Sequence, residues 1–112
     1  MHKHFEQLPL AITISDTDGN ILDMNERSAQ TFTKRGGKAL IGKNLMDCHP
    51  EPARQKLIDL LQNPRINAYT IEKEGQRKLI YQAPWYDGDN VGGMVELSLV
   101  LPDDMPHYVR KG

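Results

Sequence analysis

Two apolar segments, Leu8 to Ser15 and Asn20 to Met24, are separated only by the turn Asp16-Thr17-Asp18-Gly19, and the second runs directly into Asn25-Glu26. The first carries Leu10, Ile12 and Ile14 at period two, the pattern of a half-buried strand. A connection this short can join only antiparallel neighbours, so the chain opens as a hairpin followed by a helix start. A strand-turn-strand-helix opening predicts a small α+β domain whose concave face is filled from downstream, a receptor module rather than an enzyme.

The downstream pattern supplies two helices and then three strands. Asn25 is a predicted N-cap, with Ala29 and Phe32 on one face of the helix it opens, Lys34-Arg35 near its C-terminal end and Gly36-Gly37 stopping it. Lys38 to Leu45 reads as a helical turn and connector. Asp47-Cys48-His49-Pro50-Glu51-Pro52 reads as a helix entrance, since proline suits the first helical turn. The helix it opens is expected to reach about Asn63, with Ala53, Leu57, Leu60 and Leu61 as its apolar stripe and Pro64 ending it. From Asn67 the period becomes two. Tyr69, Ile71 and Lys73 alternate up to a Glu74-Gly75 turn, and Leu79, Tyr81 and Ala83 run back. After Asp87-Gly88-Asp89-Asn90, a last strand sets Val95, Leu97, Leu99 and Leu101 on one face and Met94, Glu96 and Ser98 on the other. The expected order is β-β-α-α-β-β-β, with residues 1–7 as an N-terminal cap, 8–101 as the domain and 102–112 as a polar, loosely held tail.

At 112 residues there is room for one domain, which buries roughly two-thirds of its unfolded surface. With 14 Lys and Arg against 15 Asp and Glu and no long run of either sign, the chain lacks the electrostatic footprint of a partner for nucleic acid or anionic membrane. One cysteine, Cys48, rules out an internal disulfide and a CxxC pair and suits a reducing compartment. Met1 to Glu6 lacks the apolar core of a secretory signal, and no stretch approaches the roughly 20 apolar residues of a membrane span. The expectation is a cytoplasmic protein.

The segments Ile12-Thr13-Ile14-Ser15-Asp16-Thr17-Asp18-Gly19-Asn20-Ile21, Met24-Asn25-Glu26 and Leu40-Ile41-Gly42-Lys43-Asn44-Leu45, followed by three strands, make the chain resemble the PAS family of sensor domains from about Leu8 to Leu101. The resemblance implies a five-stranded antiparallel sheet with short helices packed on one face. It also implies a pocket between the layers that in some members holds haem, flavin, a small acid or a metabolite, while other members only dimerise. Signals usually leave such modules through flanking segments, which makes Met1 to Leu8 and the tail the candidate output elements. The chain is then either a stand-alone regulator or a piece of a larger signalling protein, for instance one that controls transcription, whose partner protein the residues do not name.

Phe32, Leu45, Met46, His49, Leu57, Leu61, Tyr69, Ile71, Tyr81 and Met94 are the expected pocket residues, with Tyr69 and Tyr81 both turned toward the helices. His49 is a candidate haem ligand, and Met94 on the last strand a candidate sixth ligand from across the pocket. Cys48, placed near a helix N-terminus, is expected to be a reactive thiol. Its spacing from Asn44 differs from that of the flavin photosensors of the family, and its spacing from Gly42 is shorter than in the yellow photoreceptor branch. Calcium at Asp16, Asp18 and Asn20 is excluded by position: glycine falls fourth in the loop instead of sixth, and Arg27 stands where a bidentate glutamate is needed. The His2-x-His4 pair and His107 lack further ligands, and Ser15, Ser28 and Ser98 lack the setting of a nucleophile. The expected function is a non-catalytic sensory module that binds a small molecule and forms a homodimer, its uncovered sheet face hidden by a second copy or by Phe5 and Leu8. The competing class is a small acid-base enzyme using a pocket carboxylate, for which Glu96 is the one inward acid.

Overall fold

The computed structural model describes residues 1–112. Helix α1 (Lys3–Glu6) precedes strands β1 (Ala11–Asp16) and β2 (Ile21–Met24), helix α2 (Glu26–Thr31), three 3-10 turns and helix α3 (Ala53–Gln62); β3 (Asn67–Lys73), β4 (Gln76–Asp87) and β5 (Asn90–Leu101) close the chain. The five strands form one antiparallel sheet in the order β2-β1-β5-β4-β3. The last strand is thus inserted at the centre, beside the first.

Two polar segments lock the opening hairpin. Asp16 Oδ1 accepts from the backbone N–H of Asp18 and of Asn20, both at 2.9 Å, so the aspartate closes its own turn. Gly19 sits at φ +86°, where a side chain is strained, and a Cβ there would approach Met46 Cε to 3.1 Å. The connector then docks on the turn: Leu45 N donates to Gly19 O at 2.7 Å, and Asn44 Nδ2 donates to Asp18 O at 2.9 Å and Asn20 Oδ1 at 3.1 Å.

Asn25 is wholly buried and satisfied on both sides of its amide. Its Oδ1 accepts from Ser28 N, which caps α2, and from Ile12 N; its Nδ2 donates to Phe5 O and Leu10 O. One side chain therefore ties the N-terminal helix, β1 and α2 together. The core beneath the helices consists of Ile21, Met24, Leu40, Leu45, Leu57, Leu60 and Met94, with Ala29, Phe32, Met46, Cys48 and Leu61 packed at its edge.

The helix entrance lies later than its sequence signal. Leu45–Cys48 is a 3-10 turn capped by Asn44, whose Oδ1 accepts from Met46 N, and α3 begins only at Ala53. Cys48 therefore ends one turn instead of opening the next helix, and the expectation of an N-terminal reactive thiol falls with that placement.

Candidate ligand-binding site

Direct cross-strand partners share a face of the sheet, so the pairing register decides what lies under the helices. Glu74 and Gly75 both take positive φ, 54° and 77°, forming a two-residue hairpin turn that opposes Lys73 to Gln76 and hence Tyr69 to Ile80. Tyr81 is paired with Ala68 and Leu97 and lies on the opposite face. The expectation that Tyr69 and Tyr81 both face the helices is corrected by this register, because Tyr69 shares its face with Ile80 and the next residue, Tyr81, points the other way.

One row runs across the middle of the helix-covered face: Thr13 opposite Glu96, Glu96 opposite Gln82, Gln82 opposite Asn67. All four residues are polar. Asn67 Nδ2 donates to Gln82 Oε1 at 2.8 Å, and Gln82 Nε2 donates to Glu96 Oε2 at 2.8 Å, an orientation that suits the glutamate as an acceptor. Thr13 Oγ1 shares a 2.5 Å hydrogen bond with Ser28 Oγ on α2. Gln82 is only 4% exposed and Thr13 7%, so the row sits where a dry core would need apolar side chains.

Above this row lies a cavity of about 310 Å³. Leu57 and His49 wall it from the helical side, Tyr69, Ile71 and Ile80 from the sheet, and Asn67, Gln82 and Glu96 form its polar floor. Exposed Ala53, Lys56, Tyr69 and Ile71 form its open side. A smaller hollow of about 130 Å³, lined by Phe32, Ala11 and Thr13 among others, adjoins it through the shared residues Ile71, Ile80 and Glu96. The larger depression near Gln30 and Lys78, about 470 Å³, has no apolar lining and makes no enclosure for an organic ligand.

His49 Nδ1 lies 2.8 Å from the Leu45 carbonyl oxygen. A carbonyl only accepts, so Nδ1 carries the hydrogen and Nε2 is the nitrogen left free. Burial, and after it the charge of Glu96, pushes the Tyr69 phenol above its ordinary range, which keeps it protonated as a hydrogen-bond donor instead of a base.

Of the expected pocket residues, the main cavity brings together His49, Leu57, Tyr69 and Ile71, and Phe32 lines the adjoining hollow. Leu45, Met46 and Leu61 pack in or against the core, and Met94 is buried there, 5% exposed, beside a crevice of about 10 Å³ that His49 does not reach. Met94 cannot pair with His49 across the pocket, because it lies one row away from Glu96 toward α3's Leu60 and Leu61. Haem is therefore poorly matched: His49 is held as ligating histidines often are, yet the floor opposite carries a carboxylate and two amides. Asn67 and Gln82 are the site residues that sequence reasoning missed, while Glu96 was expected to face inward only as the carboxylate of the competing enzyme reading. Glu96 is marked by its place on β5 opposite the Val95–Leu101 alternation, whereas Asn67 and Gln82 join it only through the pairing of β3 with β4 and of β4 with β5.

His2 and His4 stack with ring centroids 4.4 Å apart, and His2 Nδ1 caps α1 by accepting from His4 N. No group of three or more His, Cys, Asp or Glu side chains gathers as a metal site, and no helix is long and apolar enough to cross a membrane.

An antiparallel sheet with short helices on one face, enclosing a lined hollow between the layers, is the architecture of a sensor domain. The family described as the PAS fold matches residues 5–63, and the chain belongs to it. Among solved structures, the chain is similar to the PAS domain of BvgS from Bordetella pertussis, at TM-score 0.67 and 16% identity over 89% of this chain and 82% of that one. It is also similar to a sensory box sensor histidine kinase from Vibrio cholerae, at TM-score 0.62 and 19% identity over 89% and 88% of the two chains. A third is the Aer2 receptor of Vibrio cholerae, described as a dual PAS-haem oxygen sensor, at TM-score 0.60 and 18% identity over 83% and 95%. At such identities the likeness is one of fold. No curated protein sequence matches the chain.

Proposed function

We propose that this chain is a non-catalytic sensory module that takes a small molecule in the cavity between α3 and the sheet and pairs with a second copy through the opposite sheet face. The observation that carries the reading is the polar row Glu96, Gln82 and Asn67 set across the floor of a hollow of about 310 Å³ whose walls are Leu57, Tyr69, Ile71 and Ile80, with His49 and Lys56 at its helical side. A few fixed polar groups inside apolar walls are what orient a bound organic molecule. An acid-base enzyme is the weaker reading, because the phenol beside the carboxylate is pushed away from neutrality and His49 is tied to Leu45 through Nδ1. The outer face supports the pairing: Ile14, Tyr81, Ala83, Val95, Leu97 and Leu99 form a half-buried apolar surface on the side of the sheet away from the cavity.

Native mass spectrometry of gently purified protein tests the ligand half. The expected result is a small-molecule adduct that disappears when Ile80→Trp fills the hollow. An adduct that survives the filling would remove the cavity from this role.

A further inference from the structure

We infer that the cavity selects an organic cation, a compact molecule with an apolar body and an amine, amidine or guanidine end held by Glu96. The inference rests on the proposed role of the cavity as the ligand site and deepens it. Glu96 stands on the central strand, half-buried, between Thr13 and Gln82. Its Oε2 accepts from Gln82 Nε2, whereas no hydrogen bond is made to Oε1. The four ion pairs of the protein all lie elsewhere, between Met1, Glu6, Asp23 and Lys38 or between Arg65 and Asp59, so Glu96 has no direct ion-pair partner; Lys73 and Lys78 line the adjoining hollow without pairing to it. Lys56, the one lysine or arginine on the cavity wall, is exposed at its open side.

A half-buried glutamate with a single amide donor and no ion-pair partner leaves one oxygen open to a ligand that brings charge and N–H groups to it. Neutral ligands supply only the N–H groups. An anion would be repelled by the glutamate at the centre of the floor. A cation with N–H donors supplies both, through a charge-assisted bond roughly twice as strong as a neutral one. The walls fit the remainder of such a ligand: Leu57, Ile71 and Ile80 contact an apolar body, and the ring of Tyr69 offers an electron-rich face to the charged end.

Three isosteric probes decide the matter: benzamidine, benzamide and benzoate, titrated into the full chain while amide and methyl NMR shifts of Leu57, Ile71 and Ile80 are followed. Benzamidine is expected to bind at these residues at least about tenfold more tightly than benzamide or benzoate, and Glu96→Gln is expected to reduce that preference to within about threefold. Weaker binding of benzamidine at high salt, with benzamide unaffected, is the companion result on the wild-type protein, so the test does not depend on the variant folding. Benzoate or benzamide binding as well as benzamidine would overturn the cation assignment and leave the cavity as a receptor. A preference for benzamidine unchanged in Glu96→Gln would overturn the role of Glu96. Failure of all three probes to shift these residues at millimolar concentration would overturn the cavity reading itself.

Discussion

The two faces of the sheet are built on opposite logic. Beneath the helices, where a small domain would ordinarily put its most apolar residues, β1, β5, β4 and β3 contribute Thr13, Glu96, Gln82 and Asn67. On the uncovered face the same strands contribute Ile12, Leu97, Tyr81 and Ala68, with Ile14, Val95 and Ala83 in the next row. The dry core is displaced to one end of the covered face, where Met24, Leu57, Leu60 and Met94 meet. The contrast teaches that coverage and polarity have been separated: the polar row lies on the covered face and the apolar row on the other, which is the basis of the proposed ligand site and pairing face.

The largest test of this contrast is a pair of leucine truncations. Leu57 is 3% exposed and serves both core and cavity, so Leu57→Ala should cost about 2–5 kcal/mol in chemical denaturation. Leu97→Ala on the half-buried outer face should cost the isolated subunit about 1 kcal/mol or less, since little of its environment is lost. Equal losses at the two positions would erase the distinction between a core-backed face and an open one.

A charge on the outer face sharpens the comparison. Leu97→Asp is expected to convert the dimer to monomer in light scattering at micromolar concentration while the far-ultraviolet circular dichroism and the benzamidine shifts persist. Loss of the cavity shifts together with the dimer would mean that the two faces do not act separately.

The smallest effect belongs to the surface ion pairs outside both faces. Hydrogen bonds from Arg65 and then Asn63 hold the Asp59 carboxyl below its ordinary value. Folding therefore gains from this group above its unfolded value, and the gain disappears as pH falls through the lower folded value. Asp59 lies at the surface with its side chain 44% exposed, so Asp59→Asn should flatten the acid limb of a Tm-versus-pH curve only slightly and leave Tm at neutral pH nearly unchanged. A large drop at neutral pH would show a structural role that its exposure does not suggest.

Much of the architecture is legible in the sequence because the signals are local. The Asp16–Gly19 turn, the Asn25 cap and the alternation along β5 each act within a few residues, and each appears in the fold as written. The docking of Asn44 and Leu45 on Gly19 and Asp18 was not legible, although both segments stand out, because contact across so many residues leaves no periodic trace. The site was legible in part for the same reason. Alternation says that Tyr69 and Ile71 share a face; it does not say that Tyr81 takes the other one, which follows only from the two-residue Glu74-Gly75 turn. Nor does it say which face the helices cover. A rule that puts apolar residues inward picks Met94 for the pocket and passes over Glu96, Gln82 and Asn67, whose polarity belongs to the cavity floor. Cys48 misleads through Pro50 and Pro52, which postpone α3 to Ala53.

The two tyrosines supply the most direct test of the claim that the sheet has one face for a ligand and one for a second copy. Photocrosslinking with p-benzoylphenylalanine in place of Tyr81 is predicted to yield covalent dimer, and in place of Tyr69, at the open side of the cavity, to yield none. Dimer formed from position 69 and not from position 81 would contradict the account.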